Sequence, residues 1–191
     1  MVSVSVVNVL TDPYTAPLVA SYMALRARVF VKQKQWALHQ CGGLEYEQYD
    51  DFGQAHYVLA HIGTTVLAGA RLLRCNSQIG YGMVQYSYMI RDAYLGQIDL
   101  PAEICDEAPP SDAAAWEFTR FVIEPGQAGL SARILVAAND WIKAQRGTRC
   151  LFLGSPAFMR IARSMGWQPL PLGKVTGDAS GRFVAFMCNT K

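Results

Sequence analysis

The sequence predicts an α/β fold in which a mixed β-sheet is sandwiched by helices, and three observations support this prediction. Apolar runs as long as strands alternate along the chain with segments that have helical spacing. Two of these runs are separated by only two residues, which favours an antiparallel hairpin within the sheet. Hydrophobic residues make up 51% of the chain and charged residues 17%, so a sizeable core can form and disorder is excluded. The length of 191 residues fits a single domain over 1–191.

The chain begins with a predicted strand, helix and loop. Residues 2–9 alternate and are rich in valine, a pattern that predicts a strand. Residues 16–30 carry apolar side chains at helical spacing, which predicts an amphipathic helix. The polar stretch 31–54 contains the pieces QCGG and DDFG and is interpreted as a loop.

The middle of the chain contains the predicted hairpin and the least regular segment. The apolar runs 56–62 and 65–73 are the two strands of the hairpin. Residues 74–115 hold several prolines and give weak signals, with a short helical pattern around 86–95.

The last part of the chain alternates strands and helices. Three apolar runs predict buried strands: 116–123, 150–154 and 182–188. Between the first two, we expect a helix with Ser131 as its N-terminal cap and Gly147 at its end. A second helix is expected over 156–165, ended by Gly166.

Composition excludes several classes of protein. The formal net charge of +2 is too small to favour nucleic acid or a membrane surface as a partner. No apolar run approaches the ~20 residues of a membrane helix, and the N-terminus lacks the basic leader of a signal peptide. The five cysteines are scattered and form no CxxC pair, so we expect reduced thiols and a cytoplasmic location. The three histidines show no metal-binding spacing.

The loop 31–54 is the first candidate for a functional region, because acidic and aromatic residues crowd within it. These residues are Trp36, Glu45, Tyr46, Glu47, Tyr49, Asp50 and Asp51. One interpretation is a solvated acidic loop whose aromatic side chains anchor it. The other is a mobile wall for a flat, cationic ligand, since carboxylates and ring faces both attract cations.

The strand 116–123 is the second candidate region, with Glu117 and Arg120 in the motif WEFTRF. Strict alternation places these two side chains on opposite faces, whereas a β-bulge between them brings both to one face. Arg71 lies within the apolar strand 65–73, where a charge needs a partner. Glu117 and the carboxylates of the loop are the alternatives for that partner.

These residues together resemble the acyl-homoserine-lactone synthase (autoinducer synthase) family. Order and spacing match from about residue 18 to 123, and SMGW at 164–167 fits the C-terminal half. The matching residues are Arg26 and Phe30 in LRARVF, Trp36, the run EYEQYD at 45–50, Arg71 in AGARLL, and Glu117 with Arg120 in WEFTRFV. One departure is Glu47, where the family usually has aspartate, so the carboxylate is displaced by one methylene.

The resemblance implies the acyl-CoA N-acyltransferase (GNAT) fold and a transferase that makes a quorum-sensing signal. An acyl group would pass from an acyl-carrier-protein or acyl-CoA thioester to the amine of S-adenosylmethionine. Closure of the lactone would then release methylthioadenosine. Both starting compounds are substrates, so no cofactor and no metal are expected.

The resemblance also implies roles for the matching residues. Glu117 would be the catalytic base that removes a proton from the amine, helped by Glu47. Substrate binding is implied for two sets: Phe30, Trp36 and Asp50 toward the sulfonium and adenine, and Arg26, Arg71 and Arg120 toward the substrate carboxylate or in ordering the acidic loop.

Two alternatives from other functional classes stay open. The first is a GNAT-type N-acetyltransferase that uses acetyl-CoA. Its pyrophosphate loop would be PGQAGLSAR, with Gln127, Gly129 and Ala132 at irregular spacing. The second is a non-catalytic small-molecule sensor domain of the same fold, in which the loop carboxylates bind a ligand without turnover.

The acyl tail is expected between the strand 150–154 and the helix 131–146, which are both strongly apolar. Family members that prefer 3-oxo chains often have a threonine or serine on this strand, and the matching position here is Phe152. The missing hydroxyl predicts an unsubstituted, short to medium acyl group in this acyl pocket. A basic set would suit an acidic carrier protein: Lys143, Arg146, Arg149, Arg160 and Arg163.

Overall fold

A computed structural model describes residues 1–178 and 181–191, and the chain forms two compact units. The first unit contains residues 1–72 and 120–141, and the second contains residues 73–119 and 142–191. Each unit is therefore built from two separate stretches of the chain. The prediction of a single domain stays a prediction.

The strands are β1 (Ser3–Val7), β2 (Gln40–Cys41), β3 (Leu44–Glu45), β4 (His56–Ile62), β5 (Thr65–Arg74), β6 (Ala115–Ile123), β7 (Arg149–Gly154), β8 (Leu170–Pro171), β9 (Thr176–Asp178) and β10 (Gly181–Asn189). The α-helices are α1 (Ala16–Arg26), α2 (Met89–Tyr94), α3 (Leu130–Ala144) and α4 (Pro156–Ser164). Three single-turn or irregular helices accompany them: Pro13–Thr15 and Ala102–Ile104, which are 3₁₀, and Ala27–Gln33, which is a π-helix.

The first unit contains an antiparallel sheet in which β4 pairs with both β1 and β5. Directly after β6, the amide of Glu124 donates a hydrogen bond to the carbonyl of Leu67 on β5 at 2.7 Å. Helix α1 packs closely on this sheet at Gly69, where an added Cβ would lie 2.9 Å from the Tyr22 ring. Glycine at this strand position therefore lets a buried tyrosine of the helix approach the backbone.

The second unit contains the part of the sheet that makes it mixed. Strand β6 runs parallel to β7, with Phe118 opposite Phe152, and β7 runs antiparallel to β10, with Phe152 opposite Phe186. Strands β8 and β9 add to β10 in antiparallel directions. The predicted α/β fold with a mixed sheet and helices is confirmed.

Most predicted elements are present, but the first helix does not continue as an α-helix to residue 30. Helix α1 ends at Arg26, and the chain continues as the π-helix Ala27–Gln33. The loop predicted over 31–54 also holds the short hairpin of β2 and β3. The apolar spacing predicts a helix but does not reveal the wider turn, because a π-turn shifts the register by one residue only.

The predicted ends of α3 are wrong by one or two residues. Ser131 lies inside the helix, which begins at Leu130, and its hydroxyl donates to the carbonyl of Ala128 at 2.8 Å. Arg146, not Gly147, has the left-handed backbone (φ 60°) that often follows the end of a helix. Gly147 is required for another reason, because a Cβ there would lie 2.7 Å from the ring of Trp116. Packing on the core, not backbone freedom, explains this glycine.

Sequence reasoning did not detect β8 and β9, because segments of two or three residues carry no usable periodicity. Within residues 1–178 and 181–191, no helix combines the length and apolar character needed to cross a membrane.

Candidate active site

A buried cluster of six charged side chains lies in the first unit. Its cations and carboxylates are Arg26 on α1, Arg71 on β5, Arg120 on β6, and Glu45, Glu47 and Asp50 on the segment that follows β2. Three positive and three negative charges balance. The balance matters because an unpaired charge is very costly to bury.

Arg26 forms the most buried part of this cluster. Its two terminal nitrogens bind the two carboxylate oxygens of Asp50 at 2.8 and 2.9 Å, and its Nε donates to Glu45. Burial by itself would raise the pKa of Asp50, but Arg71 and Arg26 hold the pKa of that carboxyl well below its usual range. Asp50 therefore remains ionised, with its oxygens engaged inside the protein.

Glu47 connects the other two arginines. One carboxylate oxygen accepts a hydrogen bond from Arg71 at 2.8 Å, and the other accepts from Arg120. The Glu47 and Arg120 side chains are 15% and 13% exposed, whereas Arg26 and Arg71 are fully buried. The Glu47–Arg120 pair is therefore the end of the cluster that reaches solvent.

The partner of Arg71 is consequently a loop carboxylate. Besides Glu47, Arg71 faces Asp50 at 3.3 Å. The contacts support the interpretation in which the arginines order the acidic segment, because Asp50 offers no free oxygen to a ligand. Mobility of the loop 31–54 stays a prediction.

Two buried tyrosines, which the sequence analysis did not select, complete the cluster. The Tyr57 hydroxyl lies 3.3 Å from Asp50, and the Tyr22 hydroxyl donates to the carbonyl of Arg120 at 2.7 Å. Burial raises the pKa of both hydroxyls, so both remain protonated donors. A sequence signal exists for Tyr22 only, which lies one helical turn before Arg26 on α1.

Arg120 also has an unusual backbone. Its φ is 53°, in the left-handed region, although it lies within β6. A single left-handed residue in a strand interrupts the alternation of side chains, as in β-bulges, and such residues are frequent near active sites. The hydrogen bond from Tyr22 fixes this carbonyl and stabilises the strained geometry.

Phe30 and Trp36, which lie between Arg26 and Glu45 in the sequence, form a stacked aromatic pair. Their ring centroids are 5.0 Å apart and the planes differ by 16°. Phe30 lies in the π-helix, a distortion that is enriched at functional sites, and it is buried, whereas Trp36 is partly exposed. The ring of Trp36 is therefore the accessible member of the pair.

The second unit contains Glu117, which is fully buried on β6. One of its oxygens accepts the amide N–H of Ile90, at the start of α2, at 2.8 Å. The other lies 3.3 Å from the hydroxyl of Thr119. Tyr88, the N-cap residue of α2, provides no side-chain cap, so the carboxylate of Glu117 satisfies an amide at this helix end. A carboxylate held in this way has a fixed position, which general-base chemistry requires.

Other titratable groups near Glu117 are unsuited to act as nucleophiles. Burial raises the pKa of the Cys75 thiol above its usual range, and the charge of Glu117 raises it further. Burial also raises the pKa of the Tyr88 hydroxyl. Both groups therefore keep their protons near neutral pH.

Phe152 lies within a group of four phenylalanines in the second unit. Its ring centroid is 5.0 Å from Phe186, 5.1 Å from Phe118 and 5.7 Å from Phe158. These side chains offer no hydrogen-bond donor or acceptor. The surroundings of Phe152 are therefore apolar and already densely filled.

No three acidic, histidine or cysteine side chains in the described parts of the chain approach closely enough to hold a metal ion.

Comparison with known proteins gives a family match over most of the chain. Residues 14–186 match the family model described as autoinducer synthase. The acyl-homoserine-lactone synthase of Pseudomonas aeruginosa is 25% identical over 109 residues, which are 56% of this chain and 46% of that protein. The match thus spans about half the length of this curated relative.

Solved structures show the same fold. The CoA-dependent acyl-homoserine lactone synthase BjaI, solved with SAM and isopentyl-CoA, superposes with a TM-score of 0.82 at 17% identity, over all of this chain and 84% of that one. A protein from Lactobacillus plantarum that has been assigned as an N-acetyltransferase gives a TM-score of 0.58 at 13% identity, over 99% of both chains. The expected likeness to the GNAT fold is confirmed.

Proposed function

The chain belongs to the autoinducer synthase family, and we propose that it is an acyl-homoserine-lactone synthase. It transfers an acyl group from a thioester to the amine of S-adenosylmethionine, and ring closure then releases methylthioadenosine. The observation that carries the proposal is the ion cluster, because every charged residue of the family motif between residues 26 and 120, apart from Glu117, is engaged in it.

Glu117 is the proposed catalytic base. The α-amine of S-adenosylmethionine must lose a proton before it attacks the thioester carbonyl, and a positioned carboxylate accepts that proton directly or through one water. The amide of Ile90 and the hydroxyl of Thr119 orient the Glu117 carboxylate for this task. Thr119 is therefore a positioning residue.

Phe30 and Trp36 are the proposed contacts for the sulfonium and the adenine, since ring faces attract cations and stack on flat rings. Arg26, Arg71 and Asp50 are proposed to act from a distance, by holding the segment 45–50 in place. Glu47 and Arg120 lie at the solvent end of the cluster, where the charged amino-acid group of the substrate can reach them. Because both oxygens of Glu47 are engaged by arginines, its role is positioning rather than proton transfer.

The acyl donor is a coenzyme A thioester or an acyl-carrier protein thioester. The described basic side chains Lys143, Arg146, Arg160 and Arg163 are exposed, and Arg149 pairs with Asp112. Exposed cations suit the phosphates of coenzyme A and the acidic surface of a carrier protein alike.

No cofactor is needed, because both reacting compounds are substrates. The cytoplasm is the proposed location, since all five cysteines are free thiols.

The test of the proposed function is product detection. The purified protein is incubated with S-adenosylmethionine and a panel of acyl-CoA and acyl-carrier-protein thioesters, and mass spectrometry follows two products. We expect acyl-homoserine lactone and methylthioadenosine in equal amounts. Acylation of arbitrary amines without S-adenosylmethionine would instead identify an N-acetyltransferase, and binding without either product would identify a sensor domain.

The acyl group is predicted to be unsubstituted and short to medium in length, because Phe152 and the three phenylalanines around it leave a 3-oxo group without a partner. The measurement is kcat/KM across a panel of donors at equal concentration. Phe152→Leu should extend the accepted chain length, whereas Phe183→Leu, outside this group, should not. Highest kcat/KM with long 3-oxo donors would contradict the prediction.

A further inference from the structure

Lys34 places a cation against the aromatic pair of Phe30 and Trp36. Its Nζ lies 4.8 Å from the ring centroid of Trp36 and 5.6 Å from that of Phe30. Both distances fall within the ~6 Å over which a ring attracts an ammonium group. Because the two rings are stacked on each other, the protein holds one cation against both of them.

The backbone directs Lys34 to this position. The amide of Lys34 donates to the carbonyl of Val29 at 3.0 Å, and the amide of Trp36 donates to the carbonyl of Phe30 at 3.0 Å. Between them, Gln35 has a left-handed backbone with φ of 57°. Non-glycine residues rarely adopt this conformation. The turn that it forms brings the side chains of Lys34 and Trp36 back over Phe30.

The ammonium of Lys34 has no carboxylate partner among the described residues, so the rings are its electrostatic contact. The side chain keeps part of its surface in solvent, and partial burial lowers the pKa of Lys34 below the usual lysine value. A cation–π contact is stronger when the cation is partly desolvated.

We propose that Lys34 is a specificity-determining residue that competes with the sulfonium of S-adenosylmethionine for the aromatic pair. This inference rests on the proposed function, in which Phe30 and Trp36 receive the sulfonium. Two cations that seek the same ring faces repel each other, so the sulfonium binds only when Lys34 moves away. A neutral thioether at the same place requires no such displacement. Lys34 therefore weakens binding of the charged substrate relative to an uncharged analogue.

The test compares S-adenosylmethionine with S-adenosylhomocysteine, which differ at the sulfur by one methyl group and its positive charge. Isothermal titration calorimetry gives both dissociation constants for the wild-type protein and for Lys34→Met. We expect Lys34→Met to favour S-adenosylmethionine over S-adenosylhomocysteine by about 2- to 30-fold relative to wild type, the range of a cation–π contact.

Two further variants separate this effect from others. Lys34→Arg keeps a cation that stacks on aromatic rings, so it should retain the wild-type ratio of the two dissociation constants. Lys32→Met removes a neighbouring exposed lysine and should also retain that ratio. An unchanged ratio in Lys34→Met, or an equal change in Lys32→Met, would overturn the role of Lys34. Failure of the wild-type protein to bind either compound would instead overturn the proposed function, and this inference with it.

Discussion

Glu117→Gln lowers the turnover of S-adenosylmethionine and acyl thioester by about 100-fold or more, while the protein stays folded. The reason is that glutamine cannot accept the proton of the attacking amine. Its amide oxygen can still accept the hydrogen bond from Ile90, so the start of α2 keeps its contact. The measurement is kcat by methylthioadenosine release, together with the thermal midpoint of unfolding.

The matched control for this substitution is Glu124→Gln. Glu124 directly follows β6 and forms a surface ion pair with Arg28, which is worth little in free energy. Its turnover should stay near that of the wild type. A pH profile gives a second readout, because loss of a base removes the acidic limb of kcat/KM, whereas a purely structural defect does not. Near-normal turnover in Glu117→Gln would refute the role of Glu117 as the base.

Asp50→Asn lowers the free energy of unfolding by about 3–5 kcal/mol, the cost of leaving a buried charge without its partner. Arg26 and Arg71 both lose a carboxylate on which they depend, and neither is exposed to water. Because whole domains are stable by only about 5–15 kcal/mol, this loss is a large fraction of the total. Denaturant unfolding measures it. The control Asp51→Asn changes the adjacent carboxylate, which accepts hydrogen bonds from the amides of Gly53 and Gln54, and should cost much less.

The effect of Asp50→Asn should depend on pH in a defined direction. The pKa of Asp50 is lower in the folded protein than its unfolded value of about 4. Stability from this group is therefore fully present above about pH 4 and is lost as the pH falls through the folded value. The difference in unfolding free energy between wild type and Asp50→Asn should shrink below about pH 4. A difference that is small at pH 7, or that grows in acid, would contradict the proposed burial of this charge.

The carboxylate-rich segment shows how much of the candidate site was predictable. Its concentration of acids is visible in the sequence, and so is the isolated charge of Arg71 in an apolar strand. Both observations predict a charged partner, because burial without one is too costly. The family motif adds Arg26, Arg120 and Glu117. Sequence spacing does not show which arginine pairs with which carboxylate, since Glu47 and Arg120 are 73 positions apart.

The sequence by itself determined the strands of five or more residues, the hairpin of β4 and β5, and the kinds of side chain available to the site. Periodicity is a local property, and each segment of five or more residues reports its own. Only the tertiary structure decided the left-handed backbone of Arg120, the capping of α2 by Glu117, and the contact of Lys34 with Phe30 and Trp36. Each of these depends on groups that distant segments or an irregular turn bring together. The hydrogen bonds and charges at such points must be satisfied in three dimensions, and no local pattern encodes that requirement.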